Sequence, residues 1–463
     1  MSKKHVSRSY DFLVLQNRLC RIILLACLLS GIPAAFCQQQ TEQSLPRSNQ
    51  RSVLFIVVDA LRADALGVNG SKVPATPFLD KLATETWCFT NCRSSASLTK
   101  ASMCSLWTSN YPSVHAVISR TDKLDDRFQT LPEIMKDCGL RTTLVSGNPW
   151  LSDEFGMSQG FDEESLINYA HDMGRDFDGN DLNETFLKWI DRQPNVPFFA
   201  HLHYMDCHDP YNATAEDMKQ FVQVDGKDFS VNGPITSEMR SGDLAYMRQH
   251  YQAAVRSLDR IISRLFQELE NRQLLSNTII VLTADHGEEF GEHGGLGHGT
   301  TLYDELLRVP LMIHVPGEPP ARLEGITSLV DVLPTLRELM GIPSSADDVG
   351  VDLTQYVKGQ PLPERAIHAR VQSLSDYSEL YAAIWNDHKF IFNRSKGTKE
   401  FYDLRADPKE RSPLRPEQSP LYAEGEKLVQ TQMAVADRNP NASAPVTILP
   451  DTLNALKSIG YAK

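Results

Sequence analysis

No Cys-x-x-Cys pair and no Cys/His cluster with metal-ligand spacing occurs in these 463 residues, which excludes zinc-finger and zinc-ribbon modules. Of the eight cysteines, Cys20, Cys27 and Cys37 fall in or beside an apparent leader. Cys88, Cys92, Cys104, Cys138 and Cys207 remain, an odd set that leaves at least one thiol without an internal partner. Cys88 and Cys92 are candidates for a pair. Positive charge is not in excess either: Lys and Arg number 46 against 59 Asp and Glu, a net charge of −13. Such a chain has no electrostatic footprint for nucleic acid or an anionic membrane, and a polyanionic substrate would need a locally basic site. No internal repeat is visible. The apolar run at residues 22–36 falls short of the ~20 residues that span a bilayer and is broken by Gly31 and Pro33.

That run has a different meaning. It follows Lys3, Lys4, Arg8, Arg18 and Arg21, and it ends with the small residues Ala35 and Cys37 at the −3 and −1 positions of a cut before Gln38. The expectation is a signal peptide over residues 1–37 and a secreted or periplasmic mature protein without a transmembrane domain. Residues 38–50 are polar and read as a linker.

From residue 51 onward, short apolar runs each end in polar residues. Residues 53–58 (VLFIVV) lead to Asp59, and 142–146 (TTLVS) to Gly147-Asn148. Residues 197–204 (PFFAHLHY) lead to Asp206-Cys207-His208, and 278–283 (TIIVLT) to Asp285-His286-Gly287. Residues 311–315 are a further strand. Between them lies helical patterning, clearest over 243–270, where Leu244, Met247, Tyr251, Val255, Leu258, Ile262, Leu265 and Leu269 form one stripe. Strands alternating with helices predict an α/β fold with a mostly parallel sheet covered on both faces. Ligands of such sheets bind beyond the carboxyl ends of the strands, where Asp59, Asn148, His208, Asp285 and His286 all fall. A catalytic domain over 51–360 is expected, with a small antiparallel C-terminal subdomain and tail over 361–463.

The residue types at those ends suit a cation and an anion. Asp59 is either a hard-oxygen metal ligand or a helix cap. Asp285 and His286 offer an oxygen and an imidazole nitrogen, and Gly287 permits a sharp turn. The Gly-rich stretch after them holds His293 and His298, as ligand-related groups or as solvated surface. His208 is a candidate donor to an anionic substrate or acid to a leaving group. Thr99 opens an apolar helical stretch. It is either an N-cap or a hydroxyl that attacks phosphorus or sulfur when ionised on a metal.

At these positions the chain resembles the sulfatase family of the alkaline-phosphatase superfamily. The likeness runs through Asp59-Ala60-Leu61-Arg62-Ala63-Asp64, Thr76-Pro77-Phe78-Leu79-Asp80, and Leu106-Trp107-Thr108-Ser109-Asn110-Tyr111-Pro112-Ser113-Val114-His115. It continues through 197–211, from Asp285-His286-Gly287 to Arg308-Val309-Pro310, and on to Asp331-Val332-Leu333-Pro334 and Phe401-Tyr402-Asp403-Leu404. The resemblance implies one divalent metal held by Asp59, Thr99, Asp285 and His286. It also implies that His208 and His298 bind the transferred anion, with Asn148 beside it.

The departures shape the expected chemistry. The family's C-x-P-S-R or S-x-P-S-R, whose first residue becomes formylglycine, is here Thr99-Lys100-Ala101-Ser102-Met103. Threonine lacks the primary alcohol or thiol that this oxidation needs, so no formylglycine is expected. Met103 stands for the arginine, His298 for a lysine, Ala60 for a second metal Asp and His286 for an Asn. Losing a carboxylate and gaining an imidazole favours Mn or Zn, with Ca or Mg as alternatives. The resulting set is similar to threonine-type relatives such as lipoteichoic-acid synthases and phosphoethanolamine transferases. The implied activity is cleavage or transfer of phosphate esters through Thr99. The alternatives are a sulfuric ester hydrolase or a non-catalytic binding protein. The implied partner is a small-molecule, glycan or lipid sulfate or phosphate ester.

Overall fold

The computed structural model describes residues 50–167, 178–228, 233–236, 238–239, 241–439 and 445–458. The expected leader and nearly all of the linker lie outside the described residues. Residues Arg51–Lys463 make one compact unit.

The centre of that unit is a nine-stranded sheet. Its strands are β1 (Ser52–Val58), β2 (Trp87–Arg93), β3 (Arg141–Ser146), β4 (Glu163–Leu166), β5 (Phe198–Tyr204), β6 (Thr278–Ala284), β7 (Arg308–His314) and β8 (Ala321–Leu323), with Thr327–Ser328 paired to β2. The order across the sheet is β8-β2-β7-β6-β1-β5-β3-β4. β1 and β6 are buried along their whole length, as strands covered on both faces must be. Burying each such Val, Leu or Ile contributes about 1.5–3 kcal/mol.

The sheet is parallel from β6 to β4, and β7 runs antiparallel to both β6 and β2. The strands expected from apolar runs are present. β2 is not among them: its sequence, WCFTNCR, has only three consecutive apolar residues before Thr90 and Asn91 interrupt the run. Cys88 and Cys92 both lie on β2. Four residues of strand span ~13 Å, too far for the 4.4–6.8 Å that a disulfide requires. Both are free, as are Cys104, Cys138 and Cys207.

Three helices matter for the site. α1 (Thr99–Thr108) is buried throughout, and α2 (Gly179–Asp191) precedes β5. α3 (Ser241–Asn271) carries the predicted stripe, and Met247, Tyr251, Val255, Leu258, Ile262, Leu265 and Leu269 all enter the main core.

A second sheet is an antiparallel meander of β9 (Ile367–Gln372), β10 (Glu379–Trp385), β11 (His388–Asn393) and β12 (Thr398–Asp403). α4 (Tyr422–Arg438) covers one face through Val429 and Ala436. The other face packs Ile367, Ala369, Val371 and Ala382 against Ala96, Leu98, Ala101 and Leu302. Leu98 and Ala101 flank Thr99, so the small sheet buttresses the start of α1.

Candidate functional site

Register brings the candidate residues together. Val58, the last residue of β1, pairs with Tyr204 of β5 on one side and Ala284 of β6 on the other. Asp59 and Asp285, each one residue further on, therefore emerge side by side, both fully buried. Ser146 pairs with His203, which carries Asn148 to the same edge. After Asp59 the chain turns sharply: Ala60 adopts a left-handed φ of 60°. Tyr251 of α3 holds that turn by donating to Ala60 O at 2.9 Å and accepting from Arg62 N at 2.9 Å.

Gly287 serves a different purpose from the turn expected of it. A Cβ there would lie 2.0 Å from the Glu305 carbonyl oxygen, so close approach of two backbones demands glycine. His298 sits between Gly297 and Gly299, with φ of 82° and 72°, a conformation that glycine adopts without strain.

Thr99 is the first residue of α1, and Leu98 occupies the cap position without a side-chain hydrogen bond. The hydroxyl therefore does not cap the helix. Thr99 Oγ1 lies 3.3 Å from Asp59 Oδ2 and 3.3 Å from His286 Nε2. Asn148 Oδ1 accepts from Trp150 N at 2.9 Å, which aims its amide nitrogen at Asp59 Oδ2 (2.7 Å) and Thr99 Oγ1 (3.5 Å). His286 Nε2 is 3.6 Å from Asp59 Oδ1 and 3.5 Å from Asp285 Oδ2.

Those two carboxylate oxygens are buried without a hydrogen-bond partner. An orphaned buried carboxylate oxygen is costly, and a cation is one way to satisfy it. The separations of 3.3–3.6 Å fit as well. Ligand atoms ~2.0–2.2 Å from a common tetrahedral centre sit roughly 3.3–3.6 Å apart. The donor set of oxygens and imidazole fits a divalent metal.

Electrostatics agree with that fit. Burial opposes ionisation of Asp59, but His208, His203 and His286 outweigh it and hold the carboxyl well below the usual range. Burial, together with the charge on Asp59, pushes Asp285 up. Two adjacent buried carboxylates do not ionise together without a cation between them.

Sequence reasoning passed over three nearby groups. His203 Nε2 lies 3.2 Å from Asp59 Oδ2 and 4.0 Å from Asp285 Oδ2, and Asp59, His203 and Asp285 form a group able to hold a metal. The signal was available: His201 and His203 alternate in an otherwise apolar strand, and only the one nearer the carboxyl end reaches Asp59. Glu288, fully buried, stands 3.3 Å from His298 Nδ1. Burial and the charges of Asp209 and Asp59 push the Glu288 carboxyl well up, and burial with His286 and His208 keeps His298 well below its ordinary value. His298 is thus a neutral donor rather than a cation. Its ring stacks on His286 at 4.4 Å and meets His208 edge-on at 4.8 Å. Arg120, the third, sits in a loop with no sequence pattern.

His293 and His298, paired in one Gly-rich stretch, separate. His298 joins the site. His293 bonds Glu305 at 2.5 Å and Glu410 O at 2.9 Å, away from Thr99. Met103 is fully buried in the main core, so no charge reaches the site from there. Among the described residues no helix is long and apolar enough to cross a membrane.

Comparison with known proteins adds the lineage. A family model described as Sulfatase matches residues 51–342, more than half of the chain. An ulvan-active sulfatase of Formosa agariphila is 26% identical over 435 residues, covering 86% of this chain and 83% of that protein. An N-acetylglucosamine-6-O-sulfatase of Bacteroides thetaiotaomicron is 24% identical, covering 91% of this chain and 93% of its own length. The crystal structure of a phosphonate monoester hydrolase of Agrobacterium radiobacter superimposes with a TM-score of 0.70 at 21% identity, covering 84% of this chain and 96% of that one.

Proposed function

The chain belongs to the sulfatase family, and from that premise we propose that it is a metal-dependent ester hydrolase whose nucleophile is Thr99, with phosphate esters turned over faster than sulfate esters. The observation that carries this reading is the Thr99 hydroxyl, held 3.3 Å from both Asp59 Oδ2 and His286 Nε2 at the start of a buried helix.

Asp59, Asp285, His286 and Thr99 would hold the metal, with His203 behind Asp59. A divalent cation there would supply Lewis-acid polarisation of the bound anion and lower the pKa of the hydroxyl. The chain's own groups do the rest. Thr99, its hydroxyl proton lost to water, attacks phosphorus in line through Oγ, forming an O–P bond as the bond to the leaving alcohol oxygen breaks. His208 donates a proton to that oxygen. Asn148 and neutral His298 donate hydrogen bonds to equatorial oxygens, and those bonds strengthen as charge builds. Water then gives a proton back to His208, displaces Thr99 at phosphorus and releases the product anion.

Reaction class follows from the nucleophile. A formylglycine hydrate expels sulfate by eliminating it from carbon. Threonine has no geminal hydroxyl, so its ester must be released by displacement at phosphorus or sulfur. A phosphoryl group carries more charge than a sulfuryl group, and a metal-centred site gains more by stabilising it. The second reading, a sulfuric ester hydrolase, is favoured by the names of the relatives. Those names also favour a glycan as the alcohol half.

One assay separates the two. Metal-reconstituted protein is given aryl phosphodiester, phosphomonoester and sulfate substrates sharing one leaving group. Faster phosphoester turnover supports the threonine mechanism; a clear preference for sulfate replaces it with the sulfatase reading. Activity lost to a chelator should return better with Mn²⁺ or Zn²⁺ than with Ca²⁺.

A further inference from the structure

Among the described residues, Arg120, beside Thr99, has no anion to pair with. Arg120 follows the short helix Pro112–His115 and lines the same cleft as Thr99, Lys100 and Trp150. Its Nε is buried without a hydrogen-bond partner, and no carboxylate among the described residues lies within ion-pair distance of the guanidinium. The nearest acid in sequence, Asp122, spends one carboxylate oxygen on the backbone N–H groups of Ile118 (2.8 Å) and Ser119 (2.7 Å).

Its neighbour Lys100 is differently placed. Lys100 Nζ donates to Arg120 O at 2.8 Å and lies over the rings of Phe155 and Trp150 at 4.1 and 4.8 Å. That ammonium is enclosed by aromatic faces and a carbonyl, and it anchors the loop that presents Arg120. Only the Nε of the half-buried Arg120 side chain is enclosed, which leaves its terminal nitrogens open to a ligand in the cleft. Its planar fork matches two oxygens of a tetrahedral oxyanion.

We propose that Arg120 is a substrate-binding residue of this site, whose guanidinium takes non-bridging oxygens of the sulfate or phosphoryl group presented to Thr99. The proposal rests on the reading of Thr99 and its neighbours as an ester-cleaving site. It adds a full positive charge that Met103 does not provide.

The test measures binding apart from turnover. Inorganic phosphate and inorganic sulfate are titrated calorimetrically into the full, metal-reconstituted chain carrying Thr99→Ala, with and without Arg120→Ala or Arg120→Lys. Arg120→Ala should weaken both anions at least tenfold, and Arg120→Lys should restore part of the loss. Because the side chain makes no hydrogen bond or ion pair among the described residues, the melting temperature of Arg120→Ala should match that of its background. In otherwise native protein, Arg120→Ala should raise KM for a charged aryl ester more than it lowers kcat. Binding within twofold of the background, or no binding of either anion to it, would overturn the proposal. An absence of ester turnover in the native chain, with Arg120-dependent anion binding intact, would count against the catalytic reading alone.

Discussion

Two regions of this molecule bury charge, and they treat it in opposite ways. At the junction between the large and small sheets, Arg93 donates to both oxygens of Asp304 at 3.0 and 2.7 Å. Lys389, fully buried, lies 2.7 Å from Asp304 and 2.8 Å from Glu410, and donates to Leu302 O at 3.0 Å. Two cations face two acids: Arg93 and Lys389 hold Asp304 well below the ordinary carboxylate range despite its burial, whereas burial pushes Glu410 up to about 7 against the pull of Lys389. At the carboxyl edge of the large sheet, Asp59 and Asp285 stand together with oxygens unpartnered and Arg120 stands without an acid. The closed network serves the fold. The open one leaves interaction free energy unmet, which the proposed metal and anion would release on binding.

Four measurements would break or sharpen that contrast. The largest effect is expected at the open site: Thr99→Ala should cut ester turnover by about 10³-fold or more, roughly 4 kcal/mol of barrier, with the melting temperature of the chelator-treated protein unchanged. Retention of full activity would end the nucleophile assignment. Next comes the closed network. Lys389→Met leaves Glu410 buried without its cation, so denaturant unfolding should reveal a loss of about 3–5 kcal/mol. A neutral outcome would mean that the junction is not closed in the sense described.

The third effect has the opposite sign. In chelator-treated protein, Asp285→Asn removes one of two crowded carboxylates and should stabilise the fold by about 1 kcal/mol. The same variant should lose the metal-induced rise in melting temperature, which for the parent at 100-fold excess over Kd corresponds to about 2.7 kcal/mol. Destabilisation of the metal-free variant would place Asp285 with the closed class.

The smallest effect concerns a buried histidine that belongs to neither carboxylate cluster. His115 accepts from Val117 N at 3.1 Å and lies 3.0 Å from Ser105 Oγ. Burial lowers its pKa from 6.5 to about 3, with Arg370 adding to the effect. A folded value below the unfolded one gives a contribution present above pH 6.5 and lost as pH falls toward 3. His115→Gln should therefore lose less melting temperature than the parent between pH 6.5 and 4. Equal slopes would show that His115 does not titrate on unfolding.

The Gly-rich stretch shows how far the sequence could be read. It held His293 and His298 five residues apart and suggested one role for both, yet one histidine serves the junction and the other the site. His203 was hidden inside an apolar run, Glu288 looked like one of several loop acids, and Arg120 followed a short helix without any periodic pattern. By contrast, a carboxylate or imidazole immediately after a strand carries its own address, because every parallel strand delivers its last residue to the same edge.

That distinction marks what the sequence alone determined. Local composition dictated the buried strands, the long amphipathic α3 and the strand-end set Asp59, Asn148, His208, Asp285 and His286, since burial and strand direction act over a few residues, while Thr99 was singled out by the resemblance to the sulfatase family. Tertiary structure decided which atoms meet. The in-register pairing of Val58 with Tyr204 and Ala284 sets two carboxylates side by side. The pairing of Leu98 and Ala101 with the small sheet aims Thr99. The fold alone leaves Asp59 Oδ1, Asp285 Oδ2 and Arg120 Nε unsatisfied. Whether a polar group is satisfied depends on every neighbour that packs around it, and those neighbours come from segments up to hundreds of residues apart.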